Sequence, residues 1–297
     1  MINDTFSGYH PAVNFLYFVL VIGFSMFLMH PVCLALSLIG ALAYAIRLSG
    51  RRAVRLSLYG LLPFLVFTAV LNPVFNHEGA TILTYLPDGN PLTLEAILYG
   101  IAAATMMVTV ILWFSCYSRV MTSDKFIFLF GRVIPALSLI FSMILRFVPR
   151  FLTQFRTVAD AQRCIGRGLS SPNLIRRMKD GIVILSVMLT WALEQAVTTA
   201  DSMKSRGYGL RGRTAFSIFR FDRRDAGMLI FLLLAGMVVV GCTISGDLSW
   251  QYYPVFRGQL LAPLSLIAYA IYSALCLSPV VLDWREEQKW NALKSGI

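Results

Sequence analysis

Acidic residues, histidine and cysteine are scarce in this 297-residue chain, which has 15 Asp and Glu, three His and five Cys. The histidines His10, His30 and His77 lie far apart, which argues against a metal cluster built on them. The cysteines are scattered without a paired spacing, so the sequence predicts neither a disulfide framework nor a metal motif. The motifs GxxxxGK[ST], G-x-S-x-G and HExxH are also absent. We therefore expect no enzyme, no cofactor and no metal site in this chain.

Apolar residues dominate instead. Hydrophobic residues make up 57% of the chain and charged residues 14%, with a mean hydropathy of +0.69. This composition is too apolar for a soluble domain and predicts an all-α polytopic membrane protein. Long apolar runs predict six transmembrane helices, over residues 12–29, 32–46, 56–75, 94–117, 226–245 and 260–282. The middle of these runs holds no ionisable residue, so we expect no ion-coupled transport path within the chain itself.

Positive charge is concentrated in one segment. The net charge is +11, and residues 146–224 alone hold 15 Lys and Arg against 5 Asp and Glu. Aromatic residues that would stack on bases do not interleave with these arginines, so nucleic acid is a poor candidate partner. Anionic lipid headgroups or an acidic protein partner fit better. The positive-inside rule puts the basic loops and both termini in the cytoplasm.

Two apolar runs, 133–148 and 181–193, flank or interrupt this basic segment. A transmembrane hairpin built from them would carry seven Lys and Arg residues outside, against the positive-inside rule, and the second run is too short to span. We therefore expect them to form the membrane-face roots of long helices whose tips reach the cytoplasm. The predicted organisation is N-terminal membrane helices in 1–132, cytoplasmic coupling helices in 133–224, and a transmembrane hairpin with a tail in 225–297.

Two similar helix endings recur within the basic segment, at Ala159–Gly168 and Ala200–Gly209. Each begins with Ala-Asp and contains an Arg-Gly pair, Arg167-Gly168 in the first and Arg206-Gly207 in the second. Gly168 and Gly207 are predicted helix stops, because glycine accepts the left-handed conformation that ends a helix. A single arginine at a helix end is ordinarily a dipole partner that gains about 0.3–1 kcal/mol. Two such endings in the only strongly basic segment favour a docking site with two contact points for an acidic soluble partner. A guanidinium can bind a carboxylate of such a partner through two hydrogen bonds.

The chain resembles the transmembrane T component of energy-coupling-factor transporters, the vitamin and metal-ion importers of prokaryotes. The likeness covers most of the chain and is most specific at three places: Leu145–Pro149, Ala159–Gly168 and Ala200–Gly209. The family signature is two Ala-Arg-Gly triplets that end two coupling helices. Gly166 and Ser205 stand here where that signature has alanine. Both are small, although Gly166 is expected to loosen the last helical turn by up to about 1 kcal/mol.

The resemblance implies a coupling subunit in the prokaryotic plasma membrane. Two ABC-type ATPase subunits would receive Arg167 and Arg206 in acidic grooves, and ATP-driven closure of the ATPase dimer would move the helix tips. The helices would carry this motion to a separate membrane S component that binds the substrate. The docking residues implied in this way are Arg167, Arg206, Gly166, Gly168, Ser205, Gly207, Asp160 and Asp201.

Two other classes of function remain open from the residues alone. A self-contained secondary transporter or channel would require polar residues within the spans, which are scarce. A membrane anchor would use the same basic segment to recruit an unrelated cytosolic protein or acidic lipid.

Overall fold

The computed structural model describes residues 4–85, 90–131, 134–166, 174–210, 219–258 and 262–295. The chain forms two compact units. Met1–Phe126 and Phe219–Ile297 form one, which we name the bundle unit, and Ile127–Ile218 form the other, the arm unit. The predicted division at residues 132 and 224 stays a prediction.

The described part of the bundle unit is mostly helical and contains one small β-hairpin. Its helices are α1 (Pro11–Phe27), α2 (Pro31–Ser49), α3 (Arg51–Leu56), α4 (Leu62–Phe75), α5 (Leu94–Val120), the start of α6 (Ser123–Gly131), α9 (Arg223–Ile244) and α10 (Pro263–Ser295). A 3-10 turn, Phe6–Gly8, precedes α1, and a π-helical segment, Ser57–Leu61, joins α3 to α4. Strands β1 (Ile82–Tyr85) and β2 (Pro91–Thr93) pair antiparallel within the predicted external loop.

Aromatic rings fill the core of the bundle unit. Trp113 is fully buried and packs edge-on against Tyr17 and Phe18. Its indole N–H donates to the Ser37 hydroxyl at 3.0 Å, which satisfies a polar group that the apolar surroundings would otherwise strand. A Cβ added to Gly100 would lie 2.6 Å from the Ala69 carbonyl oxygen. The small-residue face of α5 therefore lets the backbone of α4 approach closely, as in other membrane helix pairs.

The fold class predicted from the sequence is confirmed. Within the described residues, six helices are long and apolar enough to cross a membrane, by length and composition: Pro31–Ser49, Ala53–Phe75, Leu94–Val120, Leu174–Ser205, Arg223–Ile244 and Pro263–Lys294. Five of them overlap predicted spans over most of their length. The predicted first span is the 17-residue apolar helix α1. The sixth long helix, Leu174–Ser205, contains the apolar run 181–193 and is long enough to cross a membrane. The predicted placement of this run at the membrane face stays a prediction.

His-Pro pairs begin the first two long helices. His10 and His30 are the N-cap residues of α1 and α2, and each is followed by a proline at the first helical position. The Nδ1 atom of His10 accepts from the Ala12 N–H at 3.2 Å, and that of His30 from the Val32 N–H at 3.3 Å. These bonds satisfy backbone donors that a helix start leaves unpaired. Two of the scattered histidines therefore have a structural role.

The arm unit consists mainly of two long helices, α7 (Pro135–Cys164) and α8 (Leu174–Ser205), after the end of α6. They pack through a small apolar cluster in which Val158, Ile184 and Met188 are buried. Phe147 stacks on Trp191, with ring centroids 5.5 Å apart. Many other apolar side chains of α7 and α8 are exposed.

Candidate docking site

The second Arg-Gly ending is a well-formed helix terminus. The Gly207 N–H donates to the Lys204 carbonyl and the Tyr208 N–H to the Met203 carbonyl, each at 3.0 Å. Gly207 has a φ of 77°, the left-handed conformation that this pair of bonds requires. The predicted helix stop is thus confirmed, because α8 ends at Ser205 and Arg206 immediately precedes the left-handed Gly207.

The side chains around this terminus are directed outward. Ser205 and Arg206 are exposed, and so is Asp201 one turn earlier. The Ser205 hydroxyl donates to the Ser202 carbonyl at 2.9 Å, so its polar group is satisfied locally. The exposed guanidinium lies at the negative end of the helix dipole, where a positive charge is favourable.

The first ending has a different geometry. Helix α7 ends at Cys164, and Gly166 takes a left-handed φ of 76° while its N–H donates to the Arg163 carbonyl at 3.0 Å. The left-handed glycine therefore precedes Arg167 in the chain, whereas Gly207 follows Arg206. Asp160 is exposed on the last turns of α7. Arg167 and Gly168, which the sequence assigned to the dock and to the helix stop, lie outside the described residues.

The two endings lie toward opposite ends of the helix pair. Residues near the end of α7, such as Val158, cluster with Ile184 and Met188, whereas the earlier Phe147 contacts the later Trp191. The helices are therefore antiparallel over this stretch. Gly166 follows Val158 by 8 residues and Arg206 follows Met188 by 18, in opposite directions. At 1.5 Å per residue, the endings are separated by on the order of 40 Å.

A cleft lies between α7 and α8, along the stretch where residues 139–150 of α7 face residues 192–203 of α8. Its volume is about 670 Å³. Its walls are mainly apolar, and Arg146 and Arg150 from α7 border it. The cleft also includes Ala196 and Met203 of α8, so it extends toward the Arg206 ending. The sequence did not predict this cleft, because it depends on how the two helices diverge.

The bundle with its apolar helices and the arm with its exposed arginine define a class: a multi-pass membrane protein that presents a charged helical arm. The family model described as "Cobalt transport protein", CbiQ, matches residues 7–216. The chain belongs to this family of membrane transport proteins.

Relatives with curated names agree with this assignment. Three proteins named "Energy-coupling factor transporter transmembrane protein EcfT" match. The first, from Lactobacillus helveticus, is 31% identical over 36% of this chain and 39% of its own length. The protein from Bacillus selenitireducens is 35% identical over 35% of this chain and 39% of its own length. The protein from Exiguobacterium sibiricum is 26% identical over 65% of this chain and 78% of its own length. The chain thus spans about two fifths of the first two relatives and over three quarters of the third. The resemblance drawn from the sequence is confirmed.

Proposed function

We propose that this chain is the energy-coupling transmembrane subunit of an ECF-type importer, linking two ABC-type ATPase subunits to a membrane S component that binds a vitamin or a metal ion. The observation that supports the proposal is that Gly166, which precedes the first Arg-Gly pair in the chain, and Arg206 of the second pair lie toward opposite ends of the arm helices. A separation on the order of 40 Å exceeds the roughly 30 Å diameter of a small domain. Two separate subunits meet this spacing better than one small partner does.

Each ending supplies a cation for a carboxylate-lined groove. The exposed Arg206 precedes a fixed turn, so its position is set by backbone hydrogen bonds rather than by a long loop. A pre-ordered guanidinium loses less conformational freedom when it binds a carboxylate. ATP-driven closure of the two ATPases would then displace the arm helices, because the ATPases would bind them near both ends.

The cleft between α7 and α8 is the best candidate surface for the S component. Apolar walls and exposed apolar helix faces suit a partner that is itself embedded in lipid. Displacement of α7 relative to α8 would change the shape of this cleft, which would pass the motion of the ATPases to the substrate-binding subunit. In this arrangement the chain hydrolyses no ATP, and both termini lie in the cytoplasm.

Purification of the tagged chain from its native membrane in mild detergent tests the proposal. We expect two ABC-type ATPases and a small apolar membrane protein to co-purify. Recovery of a different cytosolic protein would favour a membrane anchor. Recovery of the chain alone, together with uptake by liposomes that contain only this chain, would favour a secondary transporter.

A further inference from the structure

The chain passes from the bundle unit to the arm unit after Phe126 and returns at Phe219. We name the flanking stretches of the bundle unit the outgoing crossing (Ser123–Phe126, the start of α6) and the returning crossing (Phe219–Asp225, leading into α9). The short N-terminal segment Asp4–His10 contacts both crossings. No Arg-Gly motif or apolar pattern in the sequence pointed to this segment.

The outgoing crossing is held through Lys125, a buried cation. Its Nζ donates to the carbonyl of Ser7 and, at 2.9 Å, to that of Val120. Turning the Asn14 side-chain amide over adds a third acceptor, Oδ1 at 3.2 Å. Burial lowers the pKa of Lys125, and the negative charge of nearby Asp4 opposes that shift. Burying an ammonium costs free energy unless its N–H groups find acceptors. The N-terminal segment supplies one of these acceptors, the Ser7 carbonyl.

The returning crossing is held by three contacts. The His10 N–H donates to Oδ1 of Asp225 at 3.0 Å, while Oδ2 of the same carboxylate accepts from the Asp222 N–H at 3.0 Å. The guanidinium carbon of Arg224 lies 4.7 Å from the centre of the Tyr9 ring, a cation–π contact. The rings of His10 and Phe221 meet edge to face with centroids 5.3 Å apart.

The N-terminal segment is itself fixed in the bundle. Phe6 is fully buried, and its ring packs against Tyr17 with centroids 4.9 Å apart. The N–H groups of Thr5 and Phe6 donate to Oδ1 of Asp283 on α10, at 2.9 and 3.4 Å. The segment is therefore a rigid connection between the crossings rather than a mobile terminus.

We propose that Asp4–His10 is a clasp that holds the outgoing and returning crossings in a fixed relation, so that motion of the arm unit is delivered to the bundle unit instead of being absorbed where the units join. Both crossings lead directly into helices, α6 and α9, which transmit displacement with little bending. If the two crossings could move independently of each other, a displacement of the arm unit would change their separation instead of displacing the bundle unit. The clasp acts as a positioning element. This inference rests on the coupling role proposed above.

Hydrogen–deuterium exchange of the full chain tests the clasp without any partner. Lys125→Met removes the ammonium through which the outgoing crossing contacts Ser7 of the clasp, and it leaves the contacts of the returning crossing in place. We expect amides of the returning crossing to exchange at least about fivefold faster in this variant, because the shared segment is loosened. Glu287→Gln, which breaks the Arg47–Glu287 ion pair of 2.9 Å between α2 and α10, is the matched control and should leave both crossings unchanged. Unchanged exchange at the returning crossing in a folded Lys125→Met protein would overturn the clasp.

A milder pair of variants covers the case in which Lys125→Met does not fold. Tyr9→Phe keeps the ring beside Arg224, whereas Tyr9→Leu removes it. We expect Tyr9→Leu alone to raise exchange at the outgoing crossing. Equal exchange in the two variants would contradict the clasp.

Transport measurements then connect the clasp to coupling. In liposomes that hold the assembled complex with both ATPases and the S component, Tyr9→Leu should retain ATP hydrolysis but lower substrate uptake per ATP by about fivefold or more. Tyr9→Phe and Glu287→Gln should match the original chain. An unchanged ratio for Tyr9→Leu would overturn the role in coupling. If the original chain fails to assemble with ATPases, the proposed function fails, while the exchange experiment still decides on the clasp.

Discussion

The backbone N–H of Tyr208 donates to the carbonyl of Met203 at 3.0 Å, and this bond closes the end of α8 around the left-handed Gly207. Arg206 is thereby held at an exposed helix terminus. The first ending of the arm differs, because its left-handed glycine, Gly166, comes before Arg167. In the two endings, which are similar in sequence, the left-handed glycine thus lies on opposite sides of the arginine in the chain.

Charge reversal at the tip of α8 should weaken ATPase attachment. Arg206→Glu places a carboxylate against the expected acidic groove, and loss of a buried charge pair costs about 2 kcal/mol or more, roughly thirtyfold in affinity. Co-purification of the ATPases and a titration of detergent-solubilised chain with them measure the loss. Arg167→Glu should act in the same way.

The matched control for this reversal is Lys204→Glu, which makes the same charge change on an exposed residue of the same last turn. It should weaken attachment much less, because only general electrostatic attraction is reduced. Complexes that stay intact with both Arg167→Glu and Arg206→Glu would exclude the docking role.

The turn at Gly207 should matter for docking beyond its effect on stability. Gly207→Ala and Gly209→Ala each force alanine into a left-handed backbone, at a cost of about 1 kcal/mol. Only at Gly207 does the new Cβ also meet Leu210, whose Cδ1 would lie 3.1 Å away, while Gly209 has open space. We expect both variants to unfold at lower temperature, but only Gly207→Ala to reduce ATPase affinity. Equal affinities would show that the turn does not position Arg206.

Restoring the family's alanine at the first ending should destabilise this chain. Gly166→Ala creates the Ala-Arg-Gly triplet, and helix propensity alone predicts stabilisation. The φ of 76° at Gly166 predicts the opposite, a loss of about 1 kcal/mol, because alanine disfavours that conformation. Thermal unfolding in detergent measures the sign.

Gly227→Ala is the control for Gly166→Ala. Gly227 is exposed within α9, has no positive φ, and has nothing within 4 Å of an added Cβ. This substitution should stabilise the chain by about 0.5–1 kcal/mol. A stabilising Gly166→Ala would mean that α7 continues through residue 166.

Filling the cleft should separate the two kinds of partner. Ala196→Trp puts a large ring into the space between α7 and α8, so S-component recovery should fall about tenfold while ATPase recovery is retained. Val197→Trp, at an exposed neighbouring position that does not line the cleft, is the control. Equal S-component recovery from both variants would remove the cleft from the contact surface.

Local patterns predicted much of this protein. The apolar runs predicted the helical membrane fold, because the hydrophobicity of each run depends only on its own residues and matches the lipid that surrounds them. Gly207 predicted the end of α8 because the left-handed conformation that ends a helix is a property of a single residue, and glycine adopts it most easily. The same rule applied to the first ending chose Gly168, whereas α7 ends at Cys164 and the left-handed residue is Gly166. Where two glycines flank an arginine, local preference does not choose between them.

Composition and periodicity by themselves determined the class of protein, the basic segment and the two candidate tips, since hydrophobicity, charge and helix stopping are properties of neighbouring residues. Tertiary structure alone decided how far apart the tips lie, where the cleft opens, and that the N-terminal segment joins both crossings. The bond from His10 to Asp225 links positions 215 residues apart. Such a contact exists only because the packed helices bring both residues to one place, and no local pattern of the sequence encodes it.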